Sequence, residues 1–260
     1  MSAACDGPRP YILAETNWKT VKDTDYTVAI LPWGATEAHN YHLPYATDTI
    51  QCDYVAAEAA KKAWDQGAKP IVLPTVPFGL NTGQLDVKLC LNMNMSTQLA
   101  VLKDLVDVLN RHGIDKLIIM NGHGGNHFKQ QIRELSFYYP EIFVCAIDWF
   151  KAVDWNKYFE EPGDHAGEME TSCMQLMAPH LTLPLEEAGE GKAKTFRIKA
   201  FKEGWASAQR QWTKVTEDTG VGNPGKATPE KARKYVGDVT DKIAELIVEL
   251  STADVDDLYE

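Results

Sequence analysis

Residues 26–48 read YTVAILPWGATEAHNYHLPYATD. The run 26–31 is short, apolar and rich in β-branched residues, which predicts a buried strand that opens into a loop at Gly34. Asp48 then begins a stretch with helical composition that continues to Gln66. Strand, polar loop and helix in this order form the repeating unit of an α/β fold.

The same unit recurs along the chain. Further strands are predicted at 71–74, 116–120 and 142–147, and further helices from Ser96 to Gly113, over 126–139, and from Thr228 to about Leu250, with Ser96 and Thr228 as N-caps. This repetition predicts a mainly parallel sheet with helices on both faces. Residues 76–94 show little periodicity, and so long a loop in a compact protein is usually functional. We predict one domain over residues 1–260.

Composition excludes several classes of protein. The net charge is −11 and the basic residues form no cluster, so we expect no nucleic-acid partner. No window is apolar enough to span a membrane, and the first ten residues lack the features of a secretory signal. The five cysteines are far apart and form no Cys-x-x-Cys pair. They are typical of reduced thiols, and we expect a cytoplasmic protein.

Carboxylates and histidines follow two of the predicted strands. Glu37 and His39 are two residues apart, so on a loop their side chains project to the same side, and Asp48 is near enough to fold back and bridge two ions. His123 lies among three glycines in the turn 121–126, which permit close backbone approaches. Ligands of these types, brought together from separate loops, suit the binding of a divalent metal ion. Taken alone, Glu37 and His39 are more typical of ordinary surface polar residues, because single Glu-x-His matches are common.

A third polar cluster precedes a helix that runs through Met177. Here Glu170 can complete the shell of a second metal ion, and His165 can donate a proton to a leaving amine or polarise a carbonyl. Glu168 and Glu170 face different directions on a helix, so only one of them is expected to be a ligand. Acids in a first helical turn are also favoured by the helix dipole alone.

Three motifs resemble those of the creatininase (creatinine amidohydrolase) family. They are Gly34 to Asp48, which matches Gly-x-x-Glu-x-His-x-x-His-Leu-Pro…Asp, the turn 121–126, and residues 165–172. The resemblance implies a three-layer α/β/α fold, a homohexamer, and two divalent ions (Zn, Mn or Fe). It also implies that Glu37, Asp48 and His123 hold one ion, that His39 and the bridging Asp48 hold the other, and that His165 is the catalytic histidine.

The chain departs from that family pattern at Gly125, where creatininase proper has a glutamate that completes the second metal shell. Glu170 is the predicted substitute. Relatives with the sequence Gly-His-Gly-Gly-Asn include deformylating enzymes of flavin and deazaflavin biosynthesis and a peptidase that trims a redox-cofactor precursor. The resemblance therefore favours amide hydrolysis over creatinine itself as the shared property.

The predicted reaction is hydrolysis of a small non-peptide amide, cyclic amide or formamide. Two metal ions would hold a bridging hydroxide that attacks the carbonyl, after which His165 protonates the departing nitrogen. Trp149, Gly124 and Gly125 are the predicted substrate-binding residues, although Trp149 is equally typical of a core or subunit-interface residue. The alternatives are a mononuclear zinc enzyme, a peptidase that trims a small precursor peptide, and a metal-binding protein without turnover.

Overall fold

The computed structural model describes residues 7–260, so Cys5 and most of the N-terminal segment assessed for a secretory signal lie outside it. In this part of the chain the main sheet has four parallel strands in the order β2-β1-β3-β4. They are β1 (Val28–Trp33), β2 (Pro70–Val72), β3 (Lys116–Asn121) and β4 (Phe143–Asp148). Ile30 of β1 pairs with Val72 on one side and Ile118 on the other.

Helices connect and cover these strands. They are α1 (Trp18–Lys22), α2 (Thr47–Asp65), α3 (Met95–Arg111), α4 (Phe128–Tyr138), α5 (Glu168–Met177), α6 (Lys199–Lys202), α7 (Trp212–Val215) and α8 (Pro229–Thr252). A small antiparallel pair, β5 (Gly163–His165) with β6 (Val221–Gly222), lies apart from the main sheet.

Alternate residues of the central strands enter two separate hydrophobic cores. Ile30 and Ile118 pack in the core that contains α2, α5 and α8, whereas Leu31 and Ile119 pack in the core that contains α3 and α4. Burial on both faces explains why these strands are continuously apolar. The prediction of a three-layer α/β/α fold with a parallel sheet is therefore confirmed.

The two predicted helix caps have different outcomes. The Thr228 side chain accepts a hydrogen bond from the Lys231 amide at the start of α8, as predicted. The prediction for Ser96 is wrong, because α3 begins at Met95 and Asn94 is its N-cap. The side chain of Asn94 makes no capping hydrogen bond, and its Oδ1 accepts instead from Asn92 Nδ2 at 2.8 Å.

Two regions of the chain contain little regular secondary structure. The loop 76–94 contains a short 3₁₀ turn at Thr82–Gln84, and residues 178–228 contain only short elements. Cys52, Cys90, Cys145 and Cys173 are free thiols. None of the helices in residues 7–260 combines the length and apolar composition that crossing a membrane requires.

Candidate metal centre

Asp48 lies between two histidines at the carboxyl edge of the main sheet. Its Oδ1 is 3.0 Å from His39 Nε2, and its Oδ2 is 3.1 Å from His123 Nδ1. Glu37 Oε1 lies 2.8 Å from the same His123 nitrogen. The loop after β1 supplies Glu37 and His39, the first turn of α2 supplies Asp48, and the turn after β3 supplies His123. Neighbouring parallel strands thus bring all four side chains together.

Buried amides and close packing hold the turn that carries His123. Asn121 Oδ1 accepts hydrogen bonds from the His123 amide at 3.1 Å and from Asn126 Nδ2 at 3.1 Å. A Cβ on Gly125 would lie 2.4 Å from His123 Nε2 and 2.6 Å from the Leu80 carbonyl oxygen. A side chain at position 125 would require both His123 and the backbone at Leu80 to move, so glycine is the residue that this packing favours. Gly124 is exposed on the same turn.

In the third cluster, Glu168 and Glu170 have different contacts, which the sequence alone did not decide. Glu170 Oε2 lies 4.0 Å from His39 Nε2 and accepts a hydrogen bond from the Ala166 amide. Glu168 points away from that group, where its carboxylate accepts from the backbone amides of residues 160 and 161 and from Lys231 Nζ. Glu170 therefore joins the cluster, while Glu168 ties α5 to α8.

His165 stands at the edge of the same cluster with one ring nitrogen already used. Its Nε2 lies 2.7 Å from the carbonyl oxygen of Ala38, which can only accept, so Nε2 carries the proton. In the neutral ring Nδ1 is then free of hydrogen and faces Glu37 Oε1 at 3.8 Å. The ring stacks beside His39 with centroids 4.1 Å apart, and the Trp212 ring meets it edge-on at 5.3 Å.

The charged side chains of the cluster shift one another's pKa values. Burial opposes the ionisation of Asp48, but the positive charges of His39 and His123 outweigh burial and lower its pKa. Burial likewise disfavours the charged form of His39, yet Asp48, Glu170 and Glu37 together raise its pKa to about 10. For Glu170 burial dominates, and its pKa is raised. The two carboxylates nearest His123 thus stay ionised and attract cations.

Three overlapping sets of side chains could each hold a metal ion, with ligand atoms within 4.8 Å of one another. The sets are Glu37, Asp48 and His123; His39, Asp48 and Glu170; and Glu37, His39 and His165. Asp48 Oδ2 is buried and makes no well-aligned hydrogen bond, although His123 Nδ1 lies 3.1 Å away. A buried carboxylate oxygen without an aligned donor is costly, and coordination of a cation would remove that cost. Carboxylates with imidazoles also form a donor set that suits Zn or Mn.

The structure clarifies the role of one predicted side chain, Trp149, and reveals another that was not predicted, Gln84. Trp149 is only 1% exposed and lies in the core, where its ring contacts Phe150 and Tyr235. Its burial supports the interpretation as a core residue rather than as a wall for substrate. Sequence reasoning missed Gln84, whose Nε2 donates to Glu37 Oε2. The only sequence signal for Gln84 was its position in the long loop 76–94.

Buried carboxylates and imidazoles at the carboxyl edge of a parallel sheet define an α/β/α protein with a candidate divalent-metal centre. The chain belongs to the creatininase family, because the family model described as creatinine amidohydrolase matches residues 14–247. A candidate creatinine amidohydrolase from Bacteroides fragilis has a crystal structure that covers 96% of this chain and 99% of its own, with 45% identity and a TM-score of 0.91.

More distant proteins resemble the chain in sequence or in fold. A creatinine amidohydrolase from Pseudomonas putida is 24% identical over 176 residues, which span 59% of this chain and 65% of that relative. A structure described as "Creatininase Mn" covers 94% of this chain and 99% of its own at 20% identity, with a TM-score of 0.79. A mutant creatininase described as "Zn-Zn type" has the same coverage at 22% identity, with a TM-score of 0.77.

Proposed function

We propose that this protein is a metal-dependent amidohydrolase that cleaves the C–N bond of a small non-peptide amide, cyclic amide or formamide. The observation that carries the proposal is the position of Asp48, whose two oxygens each face a different buried histidine. A carboxylate in that position is suited to bridge two cations. Family membership and the family description as creatinine amidohydrolase support the reaction class.

The proposed ligand sets follow from the distances. Glu37, Asp48 and His123 would hold one ion, and His39, Asp48 and Glu170 would hold the other. Glu170 replaces a ligand from the middle motif, since position 125 has no room for a side chain. Relatives described as Mn and Zn-Zn forms support a choice between these two metals.

The residues of this chain supply positioning and proton transfer. When bound, divalent ions polarise an amide carbonyl and make water acidic enough to act as a nucleophile near neutral pH. His165 can accept a proton at Nδ1 and pass it to the departing nitrogen, because its Nε2 is held by the Ala38 carbonyl. The exposed Gly124 leaves backbone accessible beside the cluster, where we propose that it contacts the substrate.

Metal analysis together with a substrate screen tests this proposal. Protein purified without chelator is expected to contain two divalent ions per chain, and loss of activity in EDTA should be reversed by Zn or Mn. The screen compares cyclic amides, formamides and short peptides, with Zn, Mn and Fe supplied in turn. His123→Ala should lose metal and activity, while His180→Ala, a change at an exposed histidine, serves as the matched control. Protein that binds no divalent ion would contradict the proposal.

We also propose that the chain assembles into a homohexamer. The resemblance to the family suggests this assembly, and large apolar side chains are exposed at Leu85, Leu89 and Tyr41, with exposed fractions of 66%, 71% and 61%. Side chains of this kind can contribute to an interface between copies of the chain. Sedimentation equilibrium should then give six copies of the 29.0 kDa chain, and a monomer at micromolar concentration would contradict the assembly alone.

A further inference from the structure

The loop 76–94 sends one amide side chain into the metal centre. Gln84 is 5% exposed, and its Nε2 donates a hydrogen bond to Glu37 Oε2. The other carboxylate oxygen of Glu37, Oε1, faces His123 Nδ1 at 2.8 Å. The two oxygens of Glu37 therefore have different partners: one is held by an amide and one faces the candidate metal position.

Glu37 and Cys90 both favour one orientation of the Gln84 amide. The Ala38 amide donates to Cys90 Sγ at 3.3 Å, and Cys90 Sγ lies 3.4 Å from Gln84 Oε1. Burial raises the pKa of Cys90, so its thiol keeps the proton that it donates to the Gln84 oxygen. With the amide reversed, the Gln84 oxygen would face a carboxylate oxygen with no proton between them. The Glu37 carboxylate therefore disfavours the reversed amide, and the hydrogen bond from the Cys90 thiol adds to the stability of the orientation in which nitrogen faces Glu37.

The backbone that carries Gln84 is itself held in place. A Cβ on the preceding Gly83 would lie 2.3 Å from the Arg210 carbonyl oxygen, so the segment around residue 210 packs directly on this turn. Asp86 accepts hydrogen bonds from Gln211 and Thr213 on the same segment. These contacts limit how far the Gln84 amide can withdraw from Glu37.

We propose that Gln84 is a positioning residue that holds Glu37 as a one-oxygen metal ligand, and that the Cys90 thiol supports the orientation of the Gln84 amide. Without this amide, Glu37 is free to rotate and to present both oxygens or neither. The inference rests on the proposed function, because it requires a divalent ion beside Glu37. It makes Gln84 an outer partner of a ligand, and loss of such partners typically weakens metal binding about 10- to 100-fold.

Metal affinity and a spectrum of the bound metal test the inference. Zn²⁺ dissociation constants are measured by chelator competition, and Co²⁺ is loaded as a spectroscopic probe of ligand geometry. Gln84→Met removes the donor with little change in volume, and it should weaken Zn²⁺ binding about 10- to 100-fold and shift the visible Co²⁺ bands. Cys90→Ala should give a smaller shift in the same direction, and Cys90→Ser, which keeps an O–H donor, should restore part of the loss.

Cys145→Ala is the matched control, because Cys145 is a partly buried thiol on β4 outside this hydrogen-bonded chain. Thermal unfolding in EDTA shows whether each variant folds, and Gln84→Asn, which shortens the reach of the amide, replaces Gln84→Met if the latter does not. Wild-type protein that binds metal, together with a Gln84 variant of unchanged affinity and Co²⁺ spectrum, would overturn this inference alone. Wild-type protein that binds no ion would overturn the proposed function as well.

Discussion

The candidate metal centre has two sides, one around His123 and one around Glu170, and the distances between ligand atoms differ from one side to the other. On one side, Glu37 and Asp48 approach His123 at 2.8 and 3.1 Å, and all three residues are at most 6% exposed. On the other side, His39 approaches Asp48 at 3.0 Å, but Glu170 remains 4.0 Å from His39 and its side chain is 15% exposed. The ligand atoms of the first side thus lie close together, while the second side includes one carboxylate that is farther from its histidine.

The difference follows from the elements that supply each side. Glu37, Asp48 and His123 come from neighbouring parallel strands and the helix between them, so the sheet fixes their separation. Glu170 comes from α5, which follows the irregular segment after β4. Burial raises the pKa of Glu170, whereas for Glu37 the charges of nearby histidines outweigh burial and lower the pKa. We therefore expect the side with His123 to bind its ion more tightly than the side with Glu170.

The largest expected effect comes from Asp48, which both sides share. Asp48→Ala removes ligand atoms from both ions, so metal content should fall from two ions to less than one. Activity should fall by more than the roughly 10²- to 10³-fold that loss of one transition-state donor costs. Metal analysis and steady-state kinetics measure both quantities. If one ion remained tightly bound, Asp48 would belong to only one side of the centre.

His165 tests whether proton transfer can be separated from metal binding. His165→Gln should retain both ions, because His165 Nδ1 is 3.8 Å from Glu37 Oε1 and His165 belongs to neither of the two proposed ligand sets. Activity should fall about 10²- to 10⁴-fold, the range that general acid–base catalysis contributes. Equal losses of metal and activity would instead make His165 a ligand and weaken the distinction between the two sides.

The two glutamates of α5 are a matched pair for the weaker side. Glu170→Gln should lower the metal content to about one ion per chain, with activity reduced by more than the roughly 10- to 100-fold that loss of an outer partner costs. Glu168→Gln should leave metal content unchanged and lower the free energy of unfolding by about 1–3 kcal/mol, since it weakens hydrogen bonds to Lys231 and to two backbone amides. The reverse outcome would make Glu168, instead of Glu170, a ligand of the second ion.

What the sequence could predict follows the same division between the two sides. The strand, loop and helix pattern indicated the parallel sheet, and a parallel sheet gathers polar residues at its carboxyl edge, as it does for Glu37 and His123. Gln84 was not predictable, because its contact with Glu37 crosses 47 positions through a loop without periodicity. The interpretation of Trp149 also needed the structure, since composition cannot distinguish a tryptophan in a core from one at a site.

The smallest expected effect concerns His42, which lies behind the weaker side. His42 is 1% exposed, and its Nε2 contacts Thr171 Oγ1 at 2.9 Å. Burial, and then the positive charge of His39, lower its pKa from 6.5 to about 4, against an opposing effect of Asp218. The unfolded chain therefore binds more protons, and the stability that neutral His42 contributes above pH 6.5 is lost as the pH falls toward 4.

Urea unfolding in EDTA at pH 7 and pH 5 measures this effect. His39 keeps its charge throughout this range because its pKa is about 10, so its repulsion of a protonated His42 does not change. His42→Gln should reduce the loss of unfolding free energy between the two pH values by about 1 kcal/mol. His112→Gln, a change at an exposed histidine, should leave that loss unchanged. An unchanged pH dependence in His42→Gln would show that His42 is not held neutral, and that the region behind Glu170 is open to water.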